Sequence, residues 1–123
     1  MVATNMIGVC EALLYGQKAG LDLSIMIDML KKGSAGSHAL TNAAPNMLKR
    51  NFEPGFYVEH FVKDLGICLS EAEKMNLNLP ALTQATALYR ELQFVNGEGR
   101  SSILALLKAL EKINGQQVAN YDI

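Results

Sequence analysis

Apolar residues along this chain recur at steps of three and four, and nowhere in sustained alternation, so the pattern predicts helices throughout. The first covers about residues 2 to 18 and closes at "KAGLD", where Gly20 suits a left-handed position after the last turn. Asp22 caps a second helix, "LSIMIDMLKKG", which stops at Gly33 after two lysines suited to the negative end of a helix. After the loop "GSAGS", Ser37 caps a third helix, "HALTNAAPNMLKR". Pro45 inside it brings no backbone N–H and is expected to bend or break it. "NFEPGF" reads as a turn, with Pro54-Gly55 at the central positions of type II. A long fourth helix covers about Tyr57 to Met75, and Pro80 stands at the first turn of a fifth, over about 81 to 95. "NGEGRSS" is a flexible connector with a serine cap, and a sixth helix covers roughly 102 to 113. The expectation is one all-α domain of six helices with a long N-terminal helix over residues 1–114, and a loose tail over 115–123.

Length and charge narrow the function. A chain of 123 residues has the size of one domain and buries enough surface to fold without disulfides or a metal. Cys10 and Cys68 both lie among apolar residues at helical spacing and read as buried, reduced thiols of a cytoplasmic protein. The two histidines, His38 and His60, are far apart in sequence and no CxxC occurs, so no metal site is expected. A net charge of −1 without a basic block argues against nucleic acid as a partner. The apolar runs fall well short of the ~20 residues that span a bilayer. The opening "MVATNMIGVCEALLYG" has no basic residue ahead of its apolar stretch and carries Glu11 in helical phase, so it does not read as a signal peptide. Half the residues are hydrophobic, high for a small domain, which points to apolar faces that pack on another domain or subunit.

The fourth helix carries the candidate chemistry. At about 100° per residue, Val58, Phe61, Val62, Leu65, Cys68, Leu69 and Ala72 form a core stripe. Phe56, His60, Lys63 and Ile67 fall on the opposite side, with Asp64 at its edge. That face is either a solvated surface with two stray apolar residues or a docking face whose lysine offers charge and three donors to an anion. Periodicity alone leaves both open.

Two long stretches, "EALLYGQKAGLDLSIMIDMLKKGSAGSHAL" and "FEPGFYVEHFVKDLGICLSEAEKMNLNLP", resemble the C-terminal helical domain of the β-hydroxyacid dehydrogenase family. That family includes 3-hydroxyisobutyrate dehydrogenase and tartronate semialdehyde reductase. The resemblance runs from about Asn5 to Asn114 and rests on an ordered set: Glu11, the Gly-Leu-Asp turn, the loop ending in Ser37, Pro-Gly-Phe, Lys63-Asp64-Leu65 and Leu79-Pro80. It implies a fold like the C-terminal domain of 6-phosphogluconate dehydrogenase, joined in the family to an N-terminal Rossmann domain that binds NAD or NADP. The active site then lies between the two.

By match, Lys63 would reach the cofactor's nicotinamide end and the substrate, and Phe56 and Asp64 would line the same site. His60 has no matched role and reads as local packing; Ser37 reads as a helix cap rather than a ligand contact. The family's catalytic lysine, in a Lys-x-x-Asn motif, would fall just before Met1; Asn5 is too late to match its asparagine, and no GxGxxG occurs. The resemblance thus implies a piece of an NAD(P)-dependent oxidoreductase that interconverts a small 3-hydroxy acid and its semialdehyde. This piece would form one wall of the site, hold no catalytic residue of its own and be inactive alone. Its expected partners are the Rossmann domain, the hydroxy acid or semialdehyde, and copies of itself in a homo-oligomer. The alternative is a non-enzymatic helical dimerisation module.

Overall fold

Helices account for nearly all of the regular structure in the computed structural model, which describes residues 1–118. They are α1 (Val2–Lys18), α2 (Leu23–Leu30), a π-helical turn (Ala39–Ala43) running into α3 (Ala44–Leu48), α4 (Val58–Lys74), α5 (Pro80–Phe94), and a 3-10 turn (Ile103–Ala105) leading into α6 (Leu106–Asn114). No strand is present among the described residues, only an isolated antiparallel bridge between Tyr57 and Ser102. The all-α, six-helix expectation holds.

The caps follow local chemistry. The Asp22 carboxylate accepts from the Ile25 N–H at 3.0 Å and starts α2. Ser37 Oγ accepts from the Leu40 N–H at 3.0 Å. Gly20, with φ of 79°, makes the left-handed exit from α1 that a side chain would strain. Pro45 neither breaks nor stops its helix. Lacking an N–H, it is accommodated by the π turn just before it, where the Ala44 N–H reaches five residues back to the Ala39 carbonyl.

The core gathers on α1, which packs against α2, α3, the π turn, α5 and α6. Cys10, Leu13, Tyr89, Leu92, Leu106 and Leu107 are fully enclosed. Each large apolar side chain removed from water in this way contributes about 2 kcal/mol. Tyr89 keeps its polar end satisfied by donating its hydroxyl to the Ile103 carbonyl at 3.0 Å. Burial pushes this phenol well above its ordinary pKa, so it stays a donor.

Several expectations need correction. Gly55 is absent from the residues with positive φ, so Pro54-Gly55 does not form the type II turn. Long-range bonds hold that segment instead: Ser102 N–H to the Phe52 carbonyl at 3.0 Å and Ile103 N–H to the Phe56 carbonyl at 3.1 Å. The second helix ends at Leu30 rather than Gly33, and its last residues unwind through turns. Cys68 is exposed and Leu69 only half-buried, because α4 packs chiefly on α5 and the stripe covered there is narrower than the apolar one.

Nor is the connector at 96–102 loose. Its Gly99 and Ser101 carbonyls each accept at 2.9 Å from the Glu59 and Val58 N–H groups, capping α4 in place of a side chain. Residues 116–118 of the predicted tail are also docked: Gln116 Nε2 donates to the Leu14 carbonyl at 3.1 Å, and Val118 is buried. Residues 119–123 lie outside the described residues.

Candidate functional site

A cavity of about 490 Å³ opens between the first turns of α1, the π turn, the segment before α4 and the 3-10 turn. Each wall has a local cause. The backbone bonds between 52–56 and 102–103 fix Phe56 at the rim, outside α4 and ahead of its N-cap Tyr57. Its ring meets Phe61 edge-on at 5.4 Å, and Phe61 meets the enclosed Tyr89 edge-on at 4.8 Å. The rim aromatic is therefore braced by the core. Val2, Asn5 and Met6 supply the α1 wall at helical spacing.

The opposite wall is a ladder of amides. Asn42 Nδ2 lies 3.0 Å from both His38 Nδ1 and the His38 carbonyl. The carbonyl can only accept, which fixes that end of the amide as the NH2 group. His38 Nδ1 must then accept as well, and the ring proton sits on Nε2. Asn46 Nδ2 donates to the Asn42 carbonyl at 2.9 Å, and Asn51 Nδ2 donates to Asn46 Oδ1 at 3.3 Å. Asn51 Oδ1 accepts from the Glu53 N–H at 3.2 Å. Among the described residues lining the cavity the one charged side chain is Glu53.

Of the residues that the resemblance singles out, Phe56 faces this cavity, and Lys63 and Asp64 do not line it. Both are exposed on α4, and among the described residues neither side chain makes an ion pair or hydrogen bond. The angular grouping of Phe56 with His60, Lys63 and Ile67 is corrected accordingly. Helical phase does not apply to Phe56, because the helix begins at Val58. The rest of that face is exposed as expected, and His60 packs edge-on against Tyr57 at 5.5 Å. Beside it Arg100 lies over the Tyr57 ring at 4.6 Å and pairs with Glu59 at 3.2 Å.

In the sequence His38 stands out only as a histidine too isolated for a metal site, and Asn42 and Asn46 do not stand out at all. Their spacing of four was the available signal, since it stacks three polar side chains on one helix face. No group of three histidine, cysteine or acidic side chains is placed to hold a metal among the described residues.

Comparison with known proteins agrees with this architecture. A family model described as "NAD-binding of NADP-dependent 3-hydroxyisobutyrate dehydrogenase" matches residues 1–110. The chain is 46% identical over 121 residues to a probable mitochondrial 3-hydroxyisobutyrate dehydrogenase-like protein of Arabidopsis thaliana, covering 98% of this chain and 36% of the relative. It is 35% identical over 119 residues to the 2-hydroxy-3-oxopropionate reductase of Escherichia coli, covering 97% and 40%. The fold recurs in a 3-hydroxyisobutyrate dehydrogenase of Salmonella typhimurium, with a TM-score of 0.80 at 24% identity over 86% of this chain and 37% of that one. The chain thus spans about two fifths, or somewhat less, of the length of these relatives. It belongs to the β-hydroxyacid dehydrogenase family.

Proposed function

We propose that this chain forms one wall of an interdomain active site in an NAD(P)-dependent oxidoreductase acting on a small 3-hydroxy acid and its semialdehyde. The observation that carries the reading is Lys63: an exposed cation without an ion partner among the described residues, on the helix that follows the cavity-rim aromatic Phe56. Such a group suits an anion arriving from outside the chain, and the family uses NAD(P). When bound, the nicotinamide cofactor supplies or takes the hydride. Lys63 holds the substrate carboxylate or a polar cofactor group, through a charge-assisted hydrogen bond of about 1.5–3 kcal/mol. Asp64 accepts a hydrogen bond from the cofactor, and Phe56 keeps water from the reacting carbon. The proton on the substrate hydroxyl is handled by a lysine that this chain does not supply, so the chain alone turns nothing over.

The test has two arms. The chain alone, assayed with NADH or NADPH and small semialdehyde acids, should match a Lys63→Ala control; turnover well above it refutes the reading. Fused behind the nucleotide-binding domain of a relative, the chain should support activity, and Lys63→Ala should lower kcat/KM about ten- to a hundredfold.

A second reading, a helical homo-oligomerisation surface, has its own observation. Leu21, Ile25 and Met29 stand half or more exposed along one side of α2 and its approach, walling a shallow apolar cleft. It is compatible with the first reading, and sedimentation of the chain with Ile25→Glu tests it.

A further inference from the structure

We infer that the cavity beside Phe56 is a selectivity subsite for the uncharged, hydroxyl-bearing end of the substrate and that it discriminates against a second carboxylate; this deepens the dehydrogenase reading above and rests on it for the word substrate. Charge is the first argument. Among the described residues the polar lining consists of Asn5, Asn42, Asn46, Asn51, His38 and Ser102, with Glu53 as its one charged side chain and no lysine or arginine. A carboxylate entering there would shed water without meeting a cation, beside another carboxylate.

Hydrogen-bond inventory is the second argument. The ladder engages the Asn42 NH2 and both ends of the Asn46 and Asn51 amides. Ser102 Oγ accepts from the Leu104 N–H at 3.2 Å and keeps its own O–H to donate. What stays open is an acceptor, Asn42 Oδ1, two donors, the His38 Nε2–H and the Ser102 O–H, and the whole Asn5 amide across the cavity. A hydroxyl donates and accepts at once, so it can satisfy this mixed set. A carboxylate only accepts and an ammonium only donates, so each engages only one half of the set and leaves the other half to water.

Shape is the third. Met6, Ala43 and Ile103 are buried, and with the Phe56 ring they give an apolar surface for the carbons of a short chain. The volume of about 490 Å³ is many times the ~30 Å³ share of one water, so it takes a substituent larger than a methyl group. The wall formed by Val2, Asn5 and Met6 belongs to the opening turns of α1.

The probes are 1,2,4-butanetriol and glutarate, titrated separately at matched ionic strength into the 15N-labelled chain. The triol should move the side-chain amide resonances of Asn5 and Asn42 in the millimolar range usual for so small a ligand, and glutarate should not. Asn42→Ala should weaken the triol response roughly five- to tenfold, the loss of one hydrogen bond, with helical circular dichroism unchanged. Asn5→Ala provides the same reading from the other wall, and Lys74→Ala, at the far end of α4 and outside the cavity lining, should leave the response intact. No movement with the triol, movement with glutarate at equal or lower concentration, or a triol response indifferent to both asparagine variants overturns the inference. Failure of the dehydrogenase reading looks different: the fused protein is inactive while the chain still takes the triol.

Discussion

The Glu111 carboxylate, buried on α6, receives the Arg50 guanidinium at 2.7 Å from the far side of the sequence. The same oxygen accepts the Val118 N–H at 2.6 Å, so one acid joins the end of α3, the last helix and the docked residues beyond it. Arg50 itself sits at φ of 56°, a left-handed position that ends α3. Taking either partner away leaves a largely buried charge alone, a change that costs about 3 kcal/mol or more. Arg50→Met should therefore lower the urea midpoint strongly, and Glu111→Gln, which can still accept from the Val118 N–H, should lower it less. Equal and small losses in both would mean that the pair is not enclosed.

The two thiols should separate cleanly. Burial, with the nearby Glu111 and Glu11 charges adding to it, pushes the Cys10 thiol far above its ordinary value. Its sulfur points inward at Met47, 4.0 Å away. Cys68 is exposed on α4. A disulfide reagent near pH 8 should titrate one thiol in the folded chain and two in denaturant, and Cys68→Ser should abolish the native reaction. Fast labelling of two thiols without denaturant would contradict the packing of α1.

Much of this architecture can be read locally. The period of the apolar residues gives the helices, and Asp22, Ser37 and Gly20 announce their own caps because each acts on atoms three or four residues away. What could not be read depends on contacts across the chain. Gly99 and Ser101 cap α4 from some 40 positions downstream, and the same segment places Phe56. A helical angle drawn through Phe56 therefore fails, whereas the angles of Lys63 and Ile67 within α4 hold. The amide ladder was half visible, as a spacing of four, but its fourth member, Asn51, joins only through the fold of the segment after α3. The narrowing of the α4 stripe, which exposes Cys68, depends on which neighbours pack where, and no periodicity carries that.

Glu98 sets an acid limit. Burial works to raise its pKa, but hydrogen bonds from Lys108 at 2.8 Å and from Ser101, together with the lysine's charge, outweigh it and hold the carboxyl below its ordinary 4.5. A group whose pKa is lower in the folded state contributes stability above its unfolded value and loses it as pH falls through the folded one. Lys108→Met keeps a stem against the Phe52 ring but removes the charge. The variant should be less stable than the parent at pH 7, by about 0.5–1 kcal/mol, and the gap should narrow as pH falls below the ordinary carboxyl value. Thermal unfolding of both proteins across that range reads the difference; a gap unchanged with pH would show that the lysine acts through packing alone.

Gly66 follows Lys63-Asp64-Leu65 in the interior of α4, where glycine costs a helix about 0.5–1 kcal/mol relative to alanine. A methyl group there would stand 3.6 Å from Arg90 Nη2, an ordinary contact with a long, exposed side chain on α5. Gly66→Ala should therefore raise the melting temperature by a few degrees. Gly8, in the interior of α1 with nothing within 4 Å of an added methyl, should respond the same way and serves as the reference. In the fused enzyme the two substitutions should part company if the α4 face meets the nucleotide-binding domain closely at this point. Gly66→Ala would then raise stability yet weaken cofactor binding, and Gly8→Ala would raise stability alone. Two variants equally stabilised with cofactor affinity untouched would place the approach of that domain away from Gly66.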